Sequence, residues 1–354
     1  MRIAIGTRKG LWTALGDAGG WEVSQPLKQM AEFASVAWVP MGEEGPPRLV
    51  VGARSWFWGP SVLTSDDDGA TWSEPEAGAI TFPEDTDAAV ERIWNLTPDA
   101  REPGRVWAGV EPHSLWKSVD GGSTFELNRA LWNHPHRPTW QPGAGGPAVH
   151  TIIPRPDESM VIAMSTGGVY RSADSATSWE PANRGIKVIF APDPYPEYGQ
   201  CVHRIAMDAV NKDRLYAQNH GGVYRSDDGG TSWQPIMEGL PADFGFVVLA
   251  HPTKADTAWV VPIDDATMFP PEGRLRLWRT DDAGGSWREV GEGLPSDDYT
   301  SVLRDAAHVI DLDGTAAIVF GTRNGSVHAS LDEGDTFTEV ASRLPDVLSV
   351  RASA

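Results

Sequence analysis

Three short stretches place an arginine behind the same small-residue frame: Gly6-Thr7-Arg8, Gly52-Ala53-Arg54 and Gly321-Thr322-Arg323. Guanidinium groups gathered at one mouth would hold a carboxylate, sulfate or phosphate by forked hydrogen bonds. A second set repeats a histidine inside an apolar run, as Val149-His150-Thr151-Ile152, Val202-His203-Arg204-Ile205 and Ala307-His308-Val309-Ile310. Neutral imidazoles around one cavity suit one divalent transition metal ion, or acid–base work near neutral pH. Both roles are assigned to His150, His203 and His308, with Glu91 and Glu111 available to complete either. Arg92 and His220 join Arg8, Arg54 and Arg323 as substrate-binding candidates. The bland alternatives are solvated strand-end arginines paired with acidic neighbours, and histidines that merely plug a channel.

These residues need a scaffold that repeats, and the chain supplies one. The frame S-x-D-x-G-x-[TS]-W, as in Ser226-Asp227-Asp228-Gly229-Gly230-Thr231-Ser232-Trp233, starts at Ser65, Ser118, Ser172, Ser226, Thr280 and Ser330. The intervals are 53, 54, 54, 54 and 50 residues, a period that signals repeated supersecondary units. Asp and Gly form turns, the one by accepting backbone N–H bonds and the other by taking positive φ. Each copy therefore reads as a hairpin corner whose aromatic opens the returning strand. Calcium ligation or acid catalysis by these aspartates is the weaker reading. Around each corner lie short strand candidates, such as Val202–Ala206, Arg214–Gln218 and Val223–Ser226, with turn signals between them. This pattern is all-β.

The motif resembles the Asp-box (BNR) repeat of the sialidase-like superfamily. Departures are Ala176 for Gly, Thr280 for Ser, and Phe125 and Phe337 for Trp. The resemblance implies a β-propeller; counting the recurring four-strand units gives seven antiparallel blades, and residues 1–354 are expected to form one such domain. The first unit, Arg2 to Val23, lacks an inner strand, and the last run, Val347–Val350, lacks outer partners. The C-terminal strand should therefore close the ring beside the N-terminal strand and remove its free edges. In such a ring the three Arg slots sit on neighbouring blades one, two and seven. Blades three, four and five carry Glu111, Thr166 and His220 in that slot, and Trp94 matches His150 in blade three. The long connections, among them Ser73–Ala89, Asn183–Gln200 and Ile263–Arg274, fall on the same face, where function usually sits.

Sialidases hold a substrate carboxylate with three arginines, so the resemblance implies a propeller enzyme binding a small anionic molecule or glycan, such as an acidic sugar. An Arg-Ile-Pro motif and a Tyr–Glu nucleophile pair are missing. Two other functions compete: a non-catalytic binding or assembly propeller with a protein partner, and a glycoside hydrolase using paired carboxylates from Glu91, Glu111, Asp264 or Asp265. The chain has 29 Lys and Arg against 49 Asp and Glu, a net charge of −20, which argues against nucleic acid and anionic membrane as partners. Cys201 is the single cysteine, so no internal disulfide forms. The first residues are too short an apolar run for a signal peptide, and no stretch approaches a membrane span. A cytoplasmic protein is the expectation.

Overall fold

A computed structural model describes residues 1–42, 45–76, 78–143 and 146–354. The strands form seven antiparallel sheets arranged as the blades of a propeller. Six are four-stranded, and the second blade has three strands. Its fourth position is reduced to a single bridge between Thr64 and Ser73.

Closure follows the expectation. Strand Val347–Ser353 is the innermost strand of the first blade and pairs antiparallel with Arg2–Thr7, with Ile5 opposite Val350. Ile3, Ile5, Val347 and Val350 are fully buried, so the seam is a hydrophobic core with no open sheet edge.

The repeated turns are built from their own side chains. In the fifth blade Ser226 Oγ donates to Asp228 Oδ1 at 2.8 Å, and Gly230 N–H donates to Ser226 Oγ at 2.9 Å. Ser232 then donates its N–H to Asp228 Oδ1 at 2.8 Å and its hydroxyl to Oδ2 at 2.6 Å. The same bonds recur around Asp67, Asp120, Asp174, Asp282 and Asp332. Both oxygens of each carboxylate are therefore used locally. The turns also abut the first-to-second-strand connections: Gly229 N–H donates to Asp213 C=O at 2.9 Å, and Gly121 N–H to Gly104 C=O at 2.8 Å.

The turn aromatics join successive blades. Trp233 Nε1–H donates to Ala182 C=O at 2.9 Å, and Trp287 Nε1–H to Ile236 C=O at 2.7 Å. In both cases the acceptor belongs to the outer edge of the preceding blade.

The glycine ahead of each Arg slot has a packing role. A Cβ on Gly6 would lie 2.5 Å from the Phe33 carbonyl, and one on Gly52 would lie 2.8 Å from Ile93 Cβ. Only a bare backbone lets the next blade's inner strand approach this closely. The arginine two residues later then emerges at the channel mouth. Among the described residues no helix is long and apolar enough to cross a membrane.

Candidate active site at the loop-face mouth

The inner strands carry a β-bulge at their entrance. Ala34, Trp94, His150 and His203 each sit where the register shifts, in blades two to five. An extra residue there bends the strand and re-aims its side chain. The match of Trp94 with His150 and His203 is thus observed. His308 does not share it. It lies deeper, opposite Val319 in a regular ladder. At the mouth, the seventh blade supplies Arg304 and Asp305 instead.

A cavity of 460 Å³ opens at this mouth, lined among others by Arg8, Arg54, Arg92, Arg323, Glu91 and Glu111. The strand-end slots of blades one, two, three and seven therefore converge as expected. The arginines are not equivalent. Arg8 is 3.1 Å from Asp346 Oδ2 and 3.3 Å from Glu32 Oε2. Arg323 meets the same Asp346 oxygen at 3.3 Å, and Arg92 meets Glu32 Oε1 at 2.8 Å. Arg54 has no ion-pair partner among the described residues.

Glu111 accepts the Trp94 Nε1–H bond at 2.7 Å. The Arg92 and Arg304 guanidinium groups lie over the Trp94 ring at 4.9 and 5.5 Å, within cation–π range. Glu91 is exposed beside Glu111, its N–H donating to the Glu111 carbonyl at 2.9 Å. None of the six turn aspartates lines this cavity.

Arg304 and Asp305 form the floor, lining both the mouth and a 200 Å³ chamber in the channel below. Arg351 fixes Asp305 at 2.6 Å. Burial, opposed by Asp305 and aided by Arg351, brings the Arg204 guanidinium beneath them down to about 10. These residues escaped sequence reasoning. Arg304 and Asp305 precede the strand in an irregular approach, and no repeat copy marks them.

The histidine trio does not assemble. His150 and His308 line the lower chamber, beneath the floor. His203 packs against Phe244 and Phe246, with ring centroids 5.1 and 4.9 Å away. The metal assignment to His150, His203 and His308 is corrected accordingly. Among the described residues, the triad whose donor atoms all lie within 4.8 Å of one another is Cys201, His203 and His220. The acid–base assignment changes too. Burial, reinforced by Arg304, holds His150 well below its ordinary value and His203 at about 3. Burial does the same for His308. Such imidazoles are neutral at neutral pH and are poor proton donors there. His220 lines a separate 630 Å³ cavity together with Asp264 and Asp265, so none of these three belongs with Glu91 and Glu111.

One further surface joins the mouth. A 930 Å³ groove shares Arg8, Glu32, Arg54, Glu91 and Arg92 with it and runs to Trp56. Trp56 and Phe57 form the tip of a second-blade hairpin and are 102 % and 80 % exposed.

No family model matches the chain. Among curated proteins, a xyloglucanase from Paenibacillus sp is 29% identical over 233 residues, covering 60% of this chain and 22% of that protein. An oligoxyloglucan-reducing end-specific xyloglucanase from Emericella nidulans is 23% identical over 301 residues, covering 74% of this chain and 35% of that protein. The chain spans about a fifth to a third of the length of these relatives. Among solved structures, an ancestral GH74 enzyme superposes with a TM-score of 0.55 at 16% identity, covering 89% of this chain and 39% of that one. YCF48 bound to D1 peptide superposes with a TM-score of 0.54 at 14% identity, covering 93% and 85%. At these identities the structural likeness speaks for the propeller fold alone.

Proposed function

We propose that this propeller is a glycan-acting enzyme of the glycoside hydrolase type. The observation that carries the proposal is the continuous groove from Trp56 to the mouth, with two carboxylates, Glu91 and Glu111, at its inner end. An extended groove with an aromatic platform suits an oligosaccharide, whose apolar ring faces stack on indole. The xyloglucanase relatives support the substrate class. The Asp-box resemblance supports a sialidase-like scaffold, and Arg54, without an ion-pair partner among the described residues, would anchor a carboxylate substituent.

The chemistry uses the two carboxylates in different roles. Trp94 Nε1–H fixes the orientation of Glu111, which acts at the anomeric carbon as nucleophile or as base toward water. Glu91 donates a proton to the leaving glycosidic oxygen. The C–O bond breaks, and the hydroxyl of water ends on the anomeric carbon. Retention or inversion of the anomer distinguishes the two roles of Glu111.

The test is cleavage of xyloglucan oligosaccharides and of oligosaccharides carrying uronic or sialic acid, followed by release of reducing ends. Glu111→Gln should lose at least about 100-fold in kcat, the usual scale for an acid–base group. Absence of both cleavage and binding across the panel, or an unchanged Glu111→Gln variant, overturns the proposal. A docking platform is the second reading, favoured by the run of exposed Trp56 and Phe57. Peptide capture by the groove without glycan cleavage would select it.

A further inference from the structure

We propose that Cys201, His203 and His220 form a transition-metal site, matched to Zn²⁺, at the entrance of the fifth blade. All three come from one hairpin. Cys201 and His203 open the inner strand, and His220 follows the second strand, Leu215–Asn219. The ladder ties them together: Val202 pairs with Asn219, and His220 N–H donates to the Cys201 carbonyl at 2.9 Å. The register shifts at His203, and its Nε2 lies against Cys201 Sγ. Ligands held by a strand pair are better fixed than ligands on loops.

The donor atoms already approach the required geometry. Cys201 Sγ lies 3.5 Å from His203 Nε2, and all three donor atoms lie within 4.8 Å of one another. For Zn–S near 2.3 Å and Zn–N near 2.0–2.1 Å, a tetrahedral site has an S···N edge of about 3.6 Å. Only the partly exposed His220 needs to move inward.

The surroundings prepare the ligands. His203 Nδ1–H donates to the Gly245 carbonyl at 2.5 Å, which leaves the Nε2 lone pair facing the thiol. Metal-bound histidines are oriented by this kind of outer hydrogen bond. Phe190 and Phe244 pack on the His220 ring, at 5.7 and 4.9 Å. One thiolate and two imidazoles select Zn²⁺ or another soft divalent ion over Ca²⁺ or Mg²⁺. Three protein ligands leave a fourth position, on the side where His220 borders its own cavity with Asp264 and Asp265. The mouth carboxylates take no part, so this site and the glycan reading stand or fall separately.

The chelator-treated protein is titrated with ZnCl₂ by calorimetry and with CoCl₂ by absorbance. Expected are one-to-one uptake, a thiolate-to-cobalt charge-transfer band and a higher thermal midpoint with Zn²⁺. Cys201→Ser should abolish the band and weaken Zn²⁺ binding at least about 100-fold. His220→Ala, at the cavity rim, should weaken it at least about tenfold. His308→Gln, deep in the channel, should bind as the wild type does. Lack of stoichiometric uptake by the wild type overturns the proposal. So does uptake by His220→Ala, with its band, equal to that of the wild type.

Discussion

Arg8 and Arg323, 315 positions apart in the chain, share one oxygen of Asp346, at 3.1 and 3.3 Å. The carboxylate occupies the place an anionic ligand would take between them. Both guanidinium groups are about half exposed, so each pair is worth at most about 1 kcal/mol. A ligand can compete with such pairs. Asp346→Asn should therefore raise affinity for an acidic oligosaccharide several-fold at low ionic strength, with the gain fading as salt is added. Arg54→Ala should lower it more than Arg323→Ala does, because Arg54 has no internal partner among the described residues. Calorimetry at two salt concentrations checks both. Equal losses from the two arginine variants would mean that Asp346 does not restrain Arg323.

The repeated turn separates stability from function. Trp233 is 6% exposed and bridges to the preceding blade through Ala182. Trp233→Ala should cost about 3–5 kcal/mol by leaving a cavity and an unpaired carbonyl. Asp228→Ala removes only local turn bonds and should cost about 1 kcal/mol. Activity per folded molecule should survive both, as read by urea unfolding beside a turnover assay.

Buried histidines set the acid response. Burial depresses the folded-state pKa of His150 and His308 well below the ordinary 6.5. The unfolded chain then binds protons that the folded chain refuses, so stability falls as pH drops below about 6.5. The loss continues until the folded-state values are reached. His150→Gln and His308→Gln should each flatten the fall between about pH 6.5 and 4.5. Unfolding midpoints measured across this range should converge toward acid pH. Parallel curves for wild type and variants would show that these imidazoles titrate alike in both states.

The repeat was legible because its turn is made by residues within one eight-residue window. Nothing distant is needed for Ser226 to bond Asp228 or for Asp228 to bond Ser232. The ring closure was legible from the missing inner strand of the first unit. The Arg slots were legible because Gly6, Gly52 and Gly321 mark a packing requirement that recurs with the blades. Their neutralisation was not. Glu32 and Asp346 stand 24 and 338 residues from Arg8 in sequence, and only the closed ring brings them together. The histidine set failed for a different reason. A bulge changes register by one residue without a composition signal, so His308 looked equivalent to His150 and His203 while lying deeper. The His203 donor partners, Cys201 and His220, belonged to a strand start and a strand end that the apolar pattern gave no cause to compare.

The Trp56 platform gives the sharpest separation between a glycan enzyme and a merely stable propeller. The hairpin strands Arg48–Ser55 and Gly59–Ser65 close with Ser55 opposite Gly59, leaving Trp56, Phe57 and Trp58 at the tip. Ser55 Oγ accepts the Phe57 N–H at 3.2 Å and fixes the turn. Trp56 itself is 102 % exposed, so its removal leaves no cavity and should change stability by less than about 0.5 kcal/mol. Its indole borders the groove that leads through Arg54 and Glu91 to the mouth. A sugar ring stacked there lies away from the reacting bond and binds equally in ground and transition states. Trp56→Ala should therefore raise KM about tenfold, close to 1.4 kcal/mol of lost stacking, with kcat unchanged. The loss should appear for long oligosaccharides and vanish for a short substrate that fills only the mouth. Loss of kcat on the short substrate would instead place the indole in the chemistry. Unchanged KM on every chain length would remove Trp56 from the glycan path and leave it to a protein partner.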